Sequence, residues 1–395
     1  MANIIKKISS NHFVLPVFFF FLFALYLSLF IISPGDMGFH AYIARQMLAG
    51  EMPTSGNFLF YWMVNIFSFF STNKTASKIS LCFLLAVATT LRYHWSQRRL
   101  NSLQIGKDAI RNFLISTFFA VTLIVVFVIP FPTYITIKSF YIGNFVPNIW
   151  HNSTTIFLFP FALFLFSLSI DQITNYKRLR NIYILILIFI NILIKPSFFF
   201  AYILVYPPFL LYRYKFSQKF WLSISPVFLG GLLLLSQYYL IYHTTASYLS
   251  YIYSTVDNGA VTIRPFFVYT IYGRLQDLPF SILFSILFPF TFSVLNFSRL
   301  KKETVFWFII ALVITSILIY LLLSETGMRA AHGNFYWQVV ICVWLYYFYS
   351  LQSLLRNFRE EGMTLKNKFL GSLYGLHVSF GLIYIVRMFA VKIYF

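Results

Sequence analysis

The chain has 395 residues, 59% of them hydrophobic and only 10% charged, with a mean hydropathy of +0.77. A soluble domain carries about 25% charged residues, so the composition excludes a soluble globular protein and predicts an all-α, polytopic membrane bundle, read as a single integral domain over 1–395. The net charge of +20 does not point to nucleic acid, since no basic helix, zinc spacing or RNA-binding signature occurs, and Cys82 and Cys342 lie inside apolar runs, as neither a disulfide framework nor a metal–thiolate site would have them.

Lys6 and Lys7 precede an apolar run, His12 to Ser33. That run is too long for a signal h-region and no small-x-small cleavage site follows it. It reads as an uncleaved first span with a cytoplasmic N-terminus. The stretch SPGDMGFHAYIARQMLAGEMP (33–53) comes next. Asp36 is expected at the N-cap of a helix over Met37 to Gly50, with His40 one turn along on the same side. Ile43, Met47 and Leu48 form an apolar stripe that would lay this helix on the membrane. Gly50 ends it and Pro53 blocks its continuation.

NFLFYWMVNIFSFFS (57–71) is short for a span across a ~30 Å hydrocarbon core. Charge decides its placement. If it lies outside as a juxtamembrane helix, then RYHWSQRRLNSLQIGKDAIR (92–111) falls inside, as the positive-inside rule prefers. Spans are then expected at 13–33, 77–93, 111–131, 154–170, 181–195, 197–212, 220–242, 279–296, 304–323, 336–352 and 369–388, about 11 in all. Most of the 30 Lys and Arg fall in the inner loops. The outer segments are 34–76, 132–153, 243–278 and 324–335.

Chemistry is expected in those outer segments, because ionisable groups at membrane depth are costly and tend to face a cavity. No Walker sequence or dinucleotide glycine motif appears inside. In IWHNSTT (149–155), His151, Asn152 and Ser153 suit a phosphate at a helix N-terminus; a plain polar helix cap is the alternative. In IKPSF (194–198), Pro196 breaks the helix and leaves Lys195 at a tight outer turn, where it either binds anions or snorkels. In SETGMRAAHGNFYW (324–337), Glu325, Arg329 and His332 fall on one helical face. An Arg there suits bidentate phosphate binding; a surface ion pair is the alternative. Arg264 and Arg274 are weaker candidates, and Tyr248, Tyr251, Tyr253, Tyr269 and Tyr272 near them read mainly as an interfacial aromatic belt.

The order of features over residues 1–155 is a first span, an outer Asp, a helix with His and Arg, "GEMP", a second outer helix and a span into a basic inner loop. This order resembles the GT-C superfamily of membrane glycosyltransferases, which includes the protein O-mannosyltransferases, the aminoarabinose transferase of lipid A and the catalytic subunit of oligosaccharyltransferase. The resemblance rests on order and spacing. It implies that Asp36 takes the place of the first-loop catalytic carboxylate and that the donor is a polyprenyl-phosphate sugar. It also implies a polysaccharide, O-antigen or lipid-linked acceptor; the many Ile, Asn and Lys residues read as an AT-rich bacterial gene, and the charge pattern turns the site outward from a bacterial inner membrane. Membrane lipids are the surrounding partner, and no nucleic acid is expected. A divalent metal ion is the cofactor such a family allows. One departure bears on it: the second outer loop, FPTYITIKSFYIGNFVPNIWHNST, has no Asp or Glu and offers Lys138, Asn148, His151 and Asn152 instead.

The expected reaction is an inverting displacement. It needs one carboxylate base, worth about 10²–10⁴-fold, and positive charge on the leaving phosphate. An O-antigen polymerase using Arg264, Arg274 and Arg329 is the alternative. A transporter or flippase fits less well, since no internal repeat and few mid-span charges are seen.

Overall fold

The structure is a computed structural model that describes residues 11–131, 133–244, 259–272, 275–330 and 333–392. It is an all-helical bundle with one short two-stranded ribbon among the described residues. The first part holds α1 (Asn11–Ile32), α2 (Gly35–Leu48), α3 (Leu59–Phe67), α4 (Lys74–Asn101), α5 (Ala109–Val125) and α6 (Thr133–Ile137). The middle part holds α7 (Ser153–Thr174), α8 (Arg180–Ile194), α9 (Ser197–Tyr214), α10 (Gln218–His243), β1 (Val261–Ile263) and α11 (Phe267–Tyr272). The last part holds α12 (Leu278–Ser285), α13 (Leu287–Leu295), α14 (Phe297–Leu300), α15 (Thr304–Leu322), β2 (Leu323–Glu325), α16 (Trp337–Glu361) and α17 (Leu365–Val391).

Seven helices are long and apolar enough to cross a membrane, or eight if the bent pair α12–α13 counts as one span. Of the other expected spans, 111–131 and 181–195 correspond to the shorter apolar helices α5 and α8. The segment 197–212 corresponds to α9, which carries Pro207, Pro208 and Arg213. The expected span 279–296 is not straight: α12 and α13 meet at 61°. Pro289 explains the break. It has no N–H to give the Ser285 carbonyl, and the Tyr347 hydroxyl donates to that carbonyl instead, at 2.7 Å.

α16 is apolar on nearly every face, and such a helix belongs at the centre of a bundle. Its residues from Gln338 to Leu351 are almost all buried, packed by α15, α9, α13 and α17. α4 lies between α1, α5 and α7. It runs past the expected end of its span as far as Asn101, because no helix breaker occurs over 92–101. Arg92, expected in the inner loop, is buried instead, with its guanidinium 4.4 Å from the Phe159 ring and 5.7 Å from that of Trp344. The charge is met by aromatic faces.

The expected membrane-lying role of α2 passes to its neighbour. Met37, Ile43 and Ala44 are fully buried, because α2 packs on α3 and α4. α3 turns Trp62, Ile66 and Phe67 outward, followed by Phe69 and Phe70, as a half-sunk helix would.

Candidate active site

Asp36 does not cap α2. The helix starts at Gly35 with Pro34 at its N-cap position, and Asp36 lies in the first turn with no cap hydrogen bond. An acid there still faces the positive end of the helix dipole. Its carboxylate reaches across the bundle, where Asn152 Nδ2 donates to Oδ2 at 2.8 Å. His40 Nε2 lies 3.6 Å from the same oxygen, and His40 Nδ1 is 2.9 Å from the Tyr61 hydroxyl on α3.

Asn152 is the N-cap of α7. Its Oδ1 accepts from Thr155 N at 3.1 Å, Thr155 Oγ1 at 2.6 Å, Thr154 Oγ1 at 3.2 Å and Lys195 Nζ at 2.9 Å. Amide and ammonium donors face that atom, so it is the oxygen and the NH2 faces Asp36. Asn152 is therefore the helix cap of the alternative reading, and its amide also donates to the Asp36 carboxylate.

Lys195 does not snorkel away. It follows α8 at its C-cap, Pro196 opens α9, and the turn aims the side chain into the bundle. Nζ also donates to Thr154 Oγ1 at 3.2 Å and sits 4.5 Å from the centre of the Trp337 ring. Lack of water around the ammonium lowers its pKa to about 7, against the pull of Asp36 and Glu325. Desolvation acts on Asp36 in the opposite sense, yet His40 above all, then His151 and Lys195, outweigh it and hold the carboxyl at about 2. His151 is buried edge-on to Tyr141 and near Trp337. Burial lowers its pKa to about 4, so the imidazole is neutral at pH 7.

The expected helical face of Glu325, Arg329 and His332 does not exist. Residues 323–325 are β2, paired antiparallel with β1 in the register Val261–Glu325, Thr262–Ser324 and Ile263–Leu323. Thr326 continues the pairing to Ala260, and a 3-10 turn over Gly327–Arg329 follows. Gly327 has φ +65°, in the left-handed region that favours glycine. His332 lies outside the described residues, as do Arg274, Tyr248, Tyr251 and Tyr253 and the side chains of Tyr269 and Tyr272. Glu325 and Arg329 are nevertheless both buried rather than paired on a surface. Glu325 accepts from the Tyr242 hydroxyl and from Asn334 Nδ2. The Arg329 guanidinium lies 5.7 Å from the centre of the Tyr242 ring.

One cavity of about 630 Å³ joins these groups. Asp36, His40, Asn152, Lys195, Glu325 and Arg329 all line it. So do Tyr61, Tyr242, Asn334 and Trp337. Tyr61 and Tyr242 carry no sequence signal in a chain with 28 tyrosines. The opposite wall is apolar and belongs to α10, through Leu234, Leu235, Tyr238 and Ile241. Leu235 is 65% exposed, so the cavity that Asp36 lines also opens onto the exposed apolar surface of α10. His151 and Arg264 are not in its lining. Arg264 lies after β1, its N–H bonded to Leu322 O at 2.9 Å and its guanidinium 3.5 Å over the Phe267 ring.

The polar end holds two carboxylates, an ammonium and a guanidinium beside an apolar channel. That arrangement suits an amphiphile with a charged phosphate head. No three His, Cys, Asp or Glu side chains gather as metal ligands among the described residues. No family model, curated protein or solved structure matches the chain.

Proposed function

We propose that the protein is a membrane glycosyltransferase of GT-C type, with about 11 spans and its cavity on the outer face of a bacterial inner membrane. It would transfer a sugar from a polyprenyl-phosphate donor to a polysaccharide, O-antigen or lipid-linked acceptor. The observation that carries this reading is one cavity lined both by Asp36 and by the exposed Leu235. A prenyl chain lies along α10, and its phosphate meets Lys195 and Arg329. Asp36 takes the proton of an acceptor hydroxyl. The acceptor oxygen bonds to the anomeric carbon as the bond from that carbon to the phosphate oxygen breaks, and the polyprenyl phosphate leaves with the electron pair. Positive charge at Lys195 and Arg329 stabilises the leaving group. Asn152 positions Asp36, and His40 faces it.

The O-antigen polymerase remains as a second reading because Arg329 lies in the cavity. It draws less support from Arg264, which stacks on Phe267 away from the cavity.

The test is transfer in detergent from defined polyprenyl-phosphate sugars. Asp36→Asn keeps size and removes the base, so transfer should fall at least ~100-fold with expression unchanged. Arg329→Ala should abolish transfer and weaken donor binding. Near wild-type transfer by both variants would sink the reading.

A further inference from the structure

A second cavity, of about 670 Å³, lies at the opposite end of the bundle from Asp36. It is a groove with α7 as its floor and α4 and α8 as its walls. Its two halves differ in kind. Along the apolar half, Phe164, Tyr183 and Ile186 are 39%, 52% and 49% exposed, facing the side where acyl chains would lie. The other half is charged, with Arg98 and Arg99 from α4 and Asp171 from α7. Leu91 and Arg98 on α4, and Phe164 and Asp171 on α7, each lie seven positions apart, about 10 Å of helix. Both helices therefore present an apolar side chain at one end of the groove and a charge at the other, in the same direction.

The charged side chains are open to a ligand, although the Arg180 guanidinium donates to the backbone carbonyl of Asp171 at 2.8 Å. Among the described residues, none of Arg98, Arg99 and Asp171 has an ion pair within 4.0 Å. Arg99 is fixed by its stack over Trp95, 5.5 Å from the ring centre. A guanidinium placed over an indole keeps its N–H donors, and these can grip phosphate. Basic pockets between spans are sites for lipid head groups. Asp171 narrows the choice, because a carboxylate beside the arginines repels a head group that is only anionic. A head with an ammonium a few atoms from its phosphate satisfies both signs.

We propose that this groove binds one aminophospholipid, with phosphate on Arg98 and Arg99, ammonium on Asp171 and one acyl chain along Phe164 and Ile186. The site is separate from the Asp36 cavity and does not depend on the function assigned to that cavity.

The experiment is native mass spectrometry of the full-length protein in mild detergent. It is titrated with phosphatidylethanolamine and with phosphatidylglycerol of matched chains. One phosphatidylethanolamine should be retained in preference to phosphatidylglycerol. R98A/R99A should lower that retention at least ~10-fold, the effect of losing about 1.4 kcal/mol. Asp171→Asn should reverse the preference towards phosphatidylglycerol. Ile186→Trp keeps the charges but fills the groove, and should exclude both lipids; it carries the test if the double variant does not fold. Equal retention of the two lipids by the wild type would overturn the proposal. So would undiminished phosphatidylethanolamine on R98A/R99A or on Ile186→Trp.

Discussion

Asn152 serves a helix and a carboxylate with the two ends of one amide, and Lys195 leans on the same oxygen. Burial brings the lysine's titration close to neutral pH. Its ammonium is held to about 7, whereas a free lysine titrates near 10.4. Two opposite trends follow. Donor phosphate prefers the charged form, so donor binding should weaken as pH rises through 7. Between about pH 7 and 10 the unfolded chain binds more protons at this residue than the folded one, so its contribution to stability should grow with pH. Lys195→Arg keeps the charge throughout and should flatten the binding trend; donor titrations from pH 6 to 9 on both proteins measure it. A wild-type affinity that does not change with pH would remove Lys195 from the phosphate. The sequence made Asp36, Asn152 and Lys195 legible because polar groups are scarce beside so much apolar chain. Tyr61 and Tyr242 were not legible, since a hydroxyl reaching into a cavity looks the same as one at an interface.

Among the elements, most expected spans matched helices because long apolar runs leave few other choices. What escaped was set by distant partners. The SETGMR stretch has helical spacing on paper, yet β1, more than sixty residues upstream, pulls Leu323–Glu325 into a ribbon. A pairing of that range leaves no local pattern. The crossing of α17 over the end of α5 is another such feature. The His377 carbonyl accepts from Phe127 N at 3.1 Å, and a Cβ on Gly381 would lie 1.8 Å from Val125 O. The obstacle is backbone, so it cannot swing aside. Gly381→Ala should destabilise by about 1–3 kcal/mol or more, seen as a lower Tm in detergent. An unchanged Tm would mean that α17 does not cross so closely.

For the whole molecule, orientation rests on charge. With α3 outside, the basic end of α4 lies inside. Thr72 and Ser102 are exposed at the two ends of α4, and the native Cys82 and Cys342 are buried. In a background lacking both, Thr72→Cys should react with an impermeant thiol reagent on intact cells and Ser102→Cys should not. The reverse pattern would invert the bundle. The charge pattern predicts an orientation, but it could not gather residues from four segments into one cavity, since that depends on how α2, α7, α8 and the ribbon pack. The gathering has a consequence in time. Asp36 rests near 2, a weak base, because cationic neighbours face it. The single negative charge of the donor's phosphodiester, seated on Lys195, would cancel part of that field and make the carboxylate more basic. The two substrates would then follow a compulsory order, the lipid-borne sugar first and its acceptor second. An unreactive acceptor analogue should accordingly be an uncompetitive inhibitor against the donor; noncompetitive inhibition would show that either substrate can bind first.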